Sequence, residues 1–546
     1  MKNKYSKIVF VLVGLLILNY ISSTIYKRFD LTEDGRYTLS TATKDIINNV
    51  DEIITIKVYL QGDFPAEFKR IQIETKQHLE EFKSLNKNIK FRFVNPSKIT
   101  QELVNLGLEP SRLQLQENGK LSELVIFPWA VVSSKNKTEK VALLKDIFSN
   151  SQDEQLESSI QNLEYAFANA IHKTTTKKSK KIAILKGNNE LEDIYLADFL
   201  RKLSDYYFLA PFTLDSVQTQ PQKTLKSLSK FDLTIIAKPT EKFSEEEKFT
   251  LDQYVMNGGK TLWLVDNVQA ELDSLTSTGE ALAYPRDLGL TDLFFNYGVR
   301  INSDLISDLN SSDIPLATGN IGNKTQFNQF QWNFFPLLNS SNNHPINNNI
   351  EAVNAKFANS IDILKNDISK TILLESSKLS KSVGTPSIVS LKTISEKPIP
   401  SEYQNGNKPI AVLLEGKFKS AYNGRVKPFN TSNTKELGVE SKMVIISDGD
   451  IIANEISKGK PLELGVNKWT NQRYGNKEFL LNTVNYLLDD TGLINIRSKS
   501  VKIDFLNKQK AFEETRKWQL INIVSPLLIL VLFGFVFNYI RRKKYQ

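Results

Sequence analysis

Residues 233–266 read LTIIAKPTEKFSEEEKFTLDQYVMNGGKTLWLVD. LTIIA (233–237) is apolar throughout and stops just before Pro239. Ser244, with Glu247 three residues on, has the form of a capping box, so a helix opens there. That helix runs to Gly258-Gly259, a glycine stop, and the apolar run TLWLV (261–265) follows at once. Strands apolar on both sides, with a helix between them, specify a parallel sheet covered on both faces.

The same signals extend outward in both directions. IAIL (182–185), a helix near 192–204 and an apolar run near 206–214 precede the stretch. IAVLLEG (410–416), MVIIS (443–447) and a helix over about 477–488 resume it after a long gap. The gap, 270–409, is rich in Asn and Ser and carries short strand-like runs such as ISKTILLES (368–376). We read one doubly wound parallel-sheet domain, 182–269 plus 410–496, interrupted by a β-containing insertion and followed by a basic connector, 497–520.

Residues 53–173 alternate differently. A helix over 41–49 capped by Ser40 leads in, followed by a strand at 54–60, a helix at 65–85 and a strand at 89–95. A short helix at 99–107 and two β-like runs at 112–116 and 123–133 come next. The helix over 153–171 then places Leu156, Ile160, Leu163, Phe167 and Ile171 on one face. The order βαβαββα is that of a thioredoxin-like fold, taken as architecture only, because the chain has no cysteine. TTTKKSKK (174–181) reads as a solvated linker.

Two stretches without a charged residue flank all of this: Ile8–Ile25, 18 residues, and Ile521–Ile540, 20 residues. A spanning helix needs about 20 mainly apolar residues. The first also has the basic start of a signal peptide, but no A-x-A-like site follows before Lys27-Arg28, so it reads as an uncleaved anchor. The net charge of +9 belongs mostly to their flanks. Lys2, Lys4 and Lys7 at one end and Arg541, Arg542, Lys543 and Lys544 at the other are seven of the 70 bases, leaving 63 against 61 acids. Basic flanks stay in the cytoplasm, which puts residues 1–7 and 541–546 there and 26–520 on the opposite face. A nearly neutral exterior region has no electrostatic footprint for nucleic acid. With no Cys and only His78, His172 and His344, thiolate metal sites, redox pairs and Cys nucleophiles are excluded.

Motifs with chemistry are few. Gly258-Gly259-Lys260-Thr261 resembles the end of a phosphate loop, but position 254 is Tyr254 and the motif runs from helix into strand. Asp448-Gly449-Asp450 follows a strand's carboxyl end, where open α/β sheets place ligands. Asp448 and Asp450 read either as a divalent-cation or hydrolytic pair or, more simply, as a loop and helix cap. Asp266-Asn267 reads the same way. Phe330, Trp332 and Phe334 share one strand face, which suits either a stacked ligand or a core. These residues define no catalytic, cofactor or metal site.

Five blocks carry a resemblance: RFDLTEDGRYTLS (28–40), DQYVMNGGKTLWLVD (252–266), QWNFFPLL (331–338), MVIISDGD (443–450) and FLLNTVNYLLDDTGLINIRSK (479–499). In this order, between two anchors, they resemble the GldG family of gliding-motility ABC-transporter auxiliary proteins of Bacteroidota. The resemblance implies a non-enzymatic, cofactor-free accessory subunit of the inner membrane, working with a GldA-like ATPase and a GldF-like permease and compatible with a two-fold assembly. It further implies an amidotransferase-like sheet domain, whose active relatives use a Cys nucleophile that this chain lacks. Within residues 26–52, Arg28, Asp30, Leu31, Thr32, Tyr37, Leu39 and Ser40 are expected to form a juxtamembrane strap against the permease, or else to fix the first domain to its anchor. The rival reading is a periplasmic glycan- or peptide-binding module centred on Trp332 and the sheet's carboxyl ends.

Overall fold

The computed structural model describes residues 10–15, 17, 19, 38–62, 64, 66–117, 120–135, 137–145, 152–275, 278–322, 324–431, 434–499 and 508–545. The chain divides into two units, Met1–Ser500 and Val501–Gln546. Of the anchor expected at 8–25, residues 10–15, 17 and 19 are described and helical. Its remainder lies outside the described residues, as do Arg28, Asp30, Leu31, Thr32 and Tyr37.

The first unit begins with α1 (Thr41–Asn48), opened by Ser40, whose hydroxyl accepts the Thr43 N–H at 3.1 Å. Then come β1 (Ile54–Val58), α2 (Ala66–Leu85), β2 (Ile89–Phe93), α3 (Thr100–Asn105) and a hairpin of β3 (Ser111–Glu117) and β4 (Lys120–Ile126). β5 (Trp129–Ser133), β6 (Thr138–Ala142) and α4 (Gln152–Thr175) complete the region. The single β-like run expected at 123–133 is two strands, broken at Pro128, which has no N–H for a ladder. The sheet order is β2-β1-β5-β6, with β1 and β2 parallel and β5 and β6 antiparallel to their neighbours. α4 buries Leu156, Ile160, Leu163, Phe167 and Ile171 and packs against α2 and β6.

The second sheet begins with β7 (Lys181–Lys186), α5 (Asp193–Ser204), β8 (Phe208–Thr213), α6 (Pro221–Leu228), β9 (Leu233–Ala237), α7 (Glu245–Met256) and β10 (Lys260–Leu264). Shorter pieces follow: β11 (Val268–Gln269), β12 (Glu280–Pro285), α8 (Thr291–Tyr297), β13 (Val299–Ile301) and β14 (Asp304–Asp308). Two long strands, β15 (Ser311–Ile321) and β16 (Lys324–Ser340), are paired along their length. β17 (Val353–Asn354), β18 (Ile361–Ile363), β19 (Ser369–Glu375), β20 (Ser380–Gly384) and β21 (Ser387–Ser390) lead to β22 (Pro409–Lys419), β23 (Leu437–Ile446) and α9 (Asn476–Leu488).

β8, β7, β9, β10 and β23 form the parallel half, in that spatial order. Alternate residues of one strand serve opposite faces. Leu233, Ile235, Leu262, Leu264, Val444 and Ile446 meet α5 and α9, whereas Ile236, Trp263, Val265, Met443 and Ile445 meet α7 and α8. Both faces being covered accounts for the unbroken apolar runs. The expected all-parallel sheet needs correction at its other half. β22 runs antiparallel to β23, with Ala411 opposite Ile446, and β19 and β16 from the 270–409 region continue the same sheet in antiparallel fashion.

α7 begins with the full capping box: the Ser244 hydroxyl accepts the Glu247 N–H and the Glu247 carboxylate accepts the Ser244 N–H. Its stop is steric as well as conformational. Gly258 sits at φ +92°, and a Cβ on Gly259 would lie 2.4 Å from the Tyr254 ring. The Gly-Gly-Lys-Thr run is therefore a helix exit beneath an aromatic ring.

The second unit holds α10 (Lys508–Glu513) and α11 (Thr515–Tyr545). Thr515–Lys544 is long and apolar enough to cross a membrane.

Candidate functional site

Lys238 directly follows β9, and Asp266 and Asp448 each lie two residues beyond the ends of β10 and β23. The parallel arrangement therefore brings one ammonium and two carboxyls to the same sheet edge, where such folds place their ligands. Lys238 adopts the left-handed region at φ +53° and is only 5% exposed. Its ammonium lies 2.7 Å from Asp450 Oδ1, 3.2 Å from Glu271 Oε2 and 3.5 Å from Asp266 Oδ2.

The Asp-Gly-Asp turn is built around this lysine. Asp448 Oδ1 accepts the Asp450 N–H at 2.7 Å and Oδ2 accepts the Lys356 N–H at 2.6 Å, so Asp448 is a buried cap. The Gly449 N–H donates to Asp266 Oδ1 at 2.5 Å, and a Cβ at Gly449 would lie 2.4 Å from Lys238 Cγ. Asp450 reaches the ammonium itself. Lys238 thus fills the position the sequence reading offered to a divalent cation. Among the described residues, no three His, Asp or Glu side chains gather as a metal site.

Burial pulls the Lys238 ammonium down, but Asp450, Asp266 and Glu271 outweigh it and hold it well above the ordinary lysine range. Burial raises Asp266 and Glu271, against the pull of Lys238. Asp448 is raised furthest, by burial and then by the charges of Asp450 and Asp266. Asp450, Glu271 and Asp266 share the Lys238 ammonium, and the Arg286 guanidinium stands 3.7 Å from Glu271.

A cavity of about 550 Å³ opens in front of this cluster, with Glu190, Lys238, Glu271, Asp450, Glu455 and Trp469 among its walls. Trp332 is not part of it. Trp332 has no exposed surface, and its ring meets Phe334, Phe335 and Phe357 at centroid distances of 5.7, 5.2 and 5.5 Å. The strand places that aromatic face in a core, so Trp332 has no face left for a ligand.

The described end of the strap points inward as well. Leu39 is buried, and the Ser40 N–H donates to Glu164 Oε1 at 2.7 Å, which also accepts from the Thr43 hydroxyl at 2.8 Å. Lys499 closes the arrangement, donating to Glu164 Oε2 at 3.0 Å and to the Thr38 carbonyl at 2.8 Å. Burial works to raise Glu164, yet Lys499, the Ser40 N–H and the Thr43 hydroxyl together hold it below the usual range. Nearby, burial lowers His78 to about 4.

A second junction joins the two α/β regions of the first unit. Glu478 Oε1 accepts from Lys145 at 2.8 Å and from Arg497 at 3.0 Å. Arg497 also donates to the Pro345 and Asn348 carbonyls, and Lys145 to that of Asn349. The Asn-rich composition of this stretch has a structural use. The amides of Asn347, Asn348 and Asn349 donate to the carbonyls of Leu373, Arg497 and Ser158.

Residues 179–483, more than half of the chain and including the whole parallel half-sheet, match the family described as an ABC-type uncharacterized transport system. The chain belongs to that family. Its role is thereby an accessory one in an ABC transport system. Residues 33–133 match a separate domain of unknown function. An uncharacterized protein of Borreliella burgdorferi is 22% identical over 562 aligned residues, covering 100% of both chains. Among solved structures, the mmIFT52 N-terminal domain aligns at 13% identity and a TM-score of 0.33, covering 57% of this chain and 99% of that one.

Proposed function

We propose that this protein is a non-enzymatic, membrane-anchored accessory subunit of an ABC transporter, assembled with a separate ATPase and a permease. The observation that carries the reading is the family match over 179–483 in a chain that also holds an apolar helix of spanning length at Thr515–Lys544. The basic flanks at 1–7 and 541–546 support cytoplasmic termini, an N-terminal anchor at 8–25 and a periplasmic exterior region. The order β2-β1-β5-β6 supports a thioredoxin-like first domain, and the five-stranded parallel half supports an amidotransferase-like second one. A link to gliding motility and secretion rests on the five sequence blocks alone.

The strap keeps a role in this reading, with Leu39 and Ser40 as its root in the first domain and Arg28 to Tyr37 as the part that reaches the permease. Affinity purification from membranes in mild detergent, through a tag after Gln546, tests the proposal. Recovery of one ATPase and one permease in constant ratio is expected. Recovery of this chain alone, from membranes containing those subunits, contradicts it.

A further inference from the structure

The basic stretch after α4 lies against the body of the first unit. Lys178 donates to the Ser204 carbonyl, and Lys180 pairs with Asp490 at 2.6 Å. Two cavities, of about 260 and 580 Å³, open along the seam between the two α/β regions. They share five walls: Tyr165, Asn169 and Lys173 from the first region, and Tyr206 and Asn485 from the second. Lys173 is the one charged group among the five.

Asn169 and Lys173 are half-buried and stand four residues apart, side by side on α4. Among the described residues, neither side chain has a hydrogen-bond or ion-pair partner. The Lys173 ammonium lies 3.8 Å from the centre of the Tyr206 ring, which attracts the charge but gives its three N–H groups no oxygen to bond. A lysine in the last turn of a helix ordinarily meets that helix's own carbonyls. Here other groups do so. Lys137 donates to the Lys173 and Thr176 carbonyls at 3.3 and 2.5 Å, and the Thr174 and Thr175 hydroxyls donate to the Ile171 carbonyl at 2.8 and 2.9 Å. The nearby acids are engaged as well. Glu139 accepts the Tyr206 hydroxyl at 2.8 Å, Asp205 pairs with Lys202 at 3.2 Å, and Asp489 accepts the N–H groups of Thr491, Gly492 and Ile494. Burial pulls the Lys173 ammonium down to about 8, helped by Lys202 and opposed by Glu139 and Asp205.

From this geometry we infer that the seam binds a small hydroxylated organic anion, its carboxylate or phosphate on the Lys173 ammonium and a hydroxyl on the Asn169 amide. An oxyanion supplies both things Lys173 lacks, the hydrogen-bond acceptors and the counter-charge. A hydroxyl donates and accepts at once, as the Asn169 amide does. A cation would be repelled by Lys173, and a neutral guest would leave its charge unmatched. The inference is independent of the accessory-subunit reading. Two sources share this chemistry: a sugar acid and a sugar phosphate.

Calorimetric titration of the full chain in detergent with glucuronate, and separately with glucose 6-phosphate, distinguishes them, with glucose as the uncharged comparison. Saturable binding of one molecule per chain is expected for at least one anion and not for glucose. Glucuronate alone binding identifies a carboxylate, and glucose 6-phosphate alone a phosphate. Lys173→Gln should weaken binding tenfold or more. Asn169→Asp, which keeps the side chain's size and sets a carboxylate beside Lys173, should do the same in a folded chain. At pH 8 an anion should draw a proton onto Lys173, so the binding enthalpy should differ between Tris and HEPES buffers, and Lys173→Gln should abolish the difference. Failure of both anions to bind overturns the inference. So does binding that survives either substitution undiminished, or glucose binding as tightly as the anions, because then Lys173 and Asn169 do not read the ligand.

Discussion

Replacing Lys238 with Met removes the one ammonium that three carboxyl groups share while keeping most of the side chain's volume. Its partners Asp266 and Asp450 have side chains 8% and 18% exposed, so little water is at hand to take over. Glu271, 40% exposed, is screened by solvent and adds little. Removing one member of a buried ion pair typically costs about 3–5 kcal/mol, because the remaining charge stays buried and unmatched. The loss should depend on pH with a definite sign. Lys238 is held above its unfolded value, so its contribution is complete below about pH 10 and is lost only as pH rises through the folded value. Without it, Asp266 and Glu271, already raised by burial, rise further and bind protons that the unfolded chain has released. The variant therefore loses stability as pH climbs from about 5 to 8, where the parent still has its ammonium. Denaturant unfolding of the detergent-purified chain, followed by fluorescence of its five tryptophans, measures this at both pH values. A deficit of about 3–5 kcal/mol at pH 8, smaller at pH 5, is expected. Adding Asp450→Asn should restore part of it. A deficit below about 1 kcal/mol, or one equal at both pH values, refutes the account of the cluster.

His78 is 5% exposed and titrates near 4 through burial, against about 6.5 in an unfolded chain. Between those values only the unfolded chain takes the proton, so as pH falls from about 6.5 to 4 the protein loses up to about 3 kcal/mol, a slope that His78→Leu should flatten in pH-dependent unfolding. Trp332→Ala should cost about 3–5 kcal/mol in denaturant unfolding, because Trp332 is core. Ser244→Ala breaks one half of the capping box and should cost about 1 kcal/mol, with faster hydrogen exchange confined to the first turn of α7.

The parallel half of the sheet was readable because a strand buried on two faces has no polar alternation, and the Ser244 box and the Gly258-Gly259 stop marked their helix from both ends. The same property hid the direction of β22. Val412, Leu413 and Leu414 are buried whichever way the strand runs, and the turn from β22 to β23 has no signature that separates a hairpin from a crossover. β6 was missed because Val141 is its one buried residue, leaving almost no periodicity to read. α6, PQKTLKSL, was missed because two apolar residues in an eight-residue helix are too few to mark it.

The site was half visible. Asp266, Asp448 and Asp450 were marked by their place at strand ends, but Lys238 looked like any residue before a proline. Its partners come from as far as 212 positions away, and only the fold assembles them. The Asn-rich stretch was legible as composition but not as amides that bond distant carbonyls, of which Asn349 to Ser158 crosses between the two α/β regions.

Native mass spectrometry of the assembly purified in mild detergent tests the central claim most directly. An accessory subunit of an ABC transporter predicts particles whose mass exceeds whole multiples of this 62.1 kDa chain by the masses of an ATPase and a permease, with both released on activation. Particles at 62.1 kDa or its whole multiples alone would contradict it.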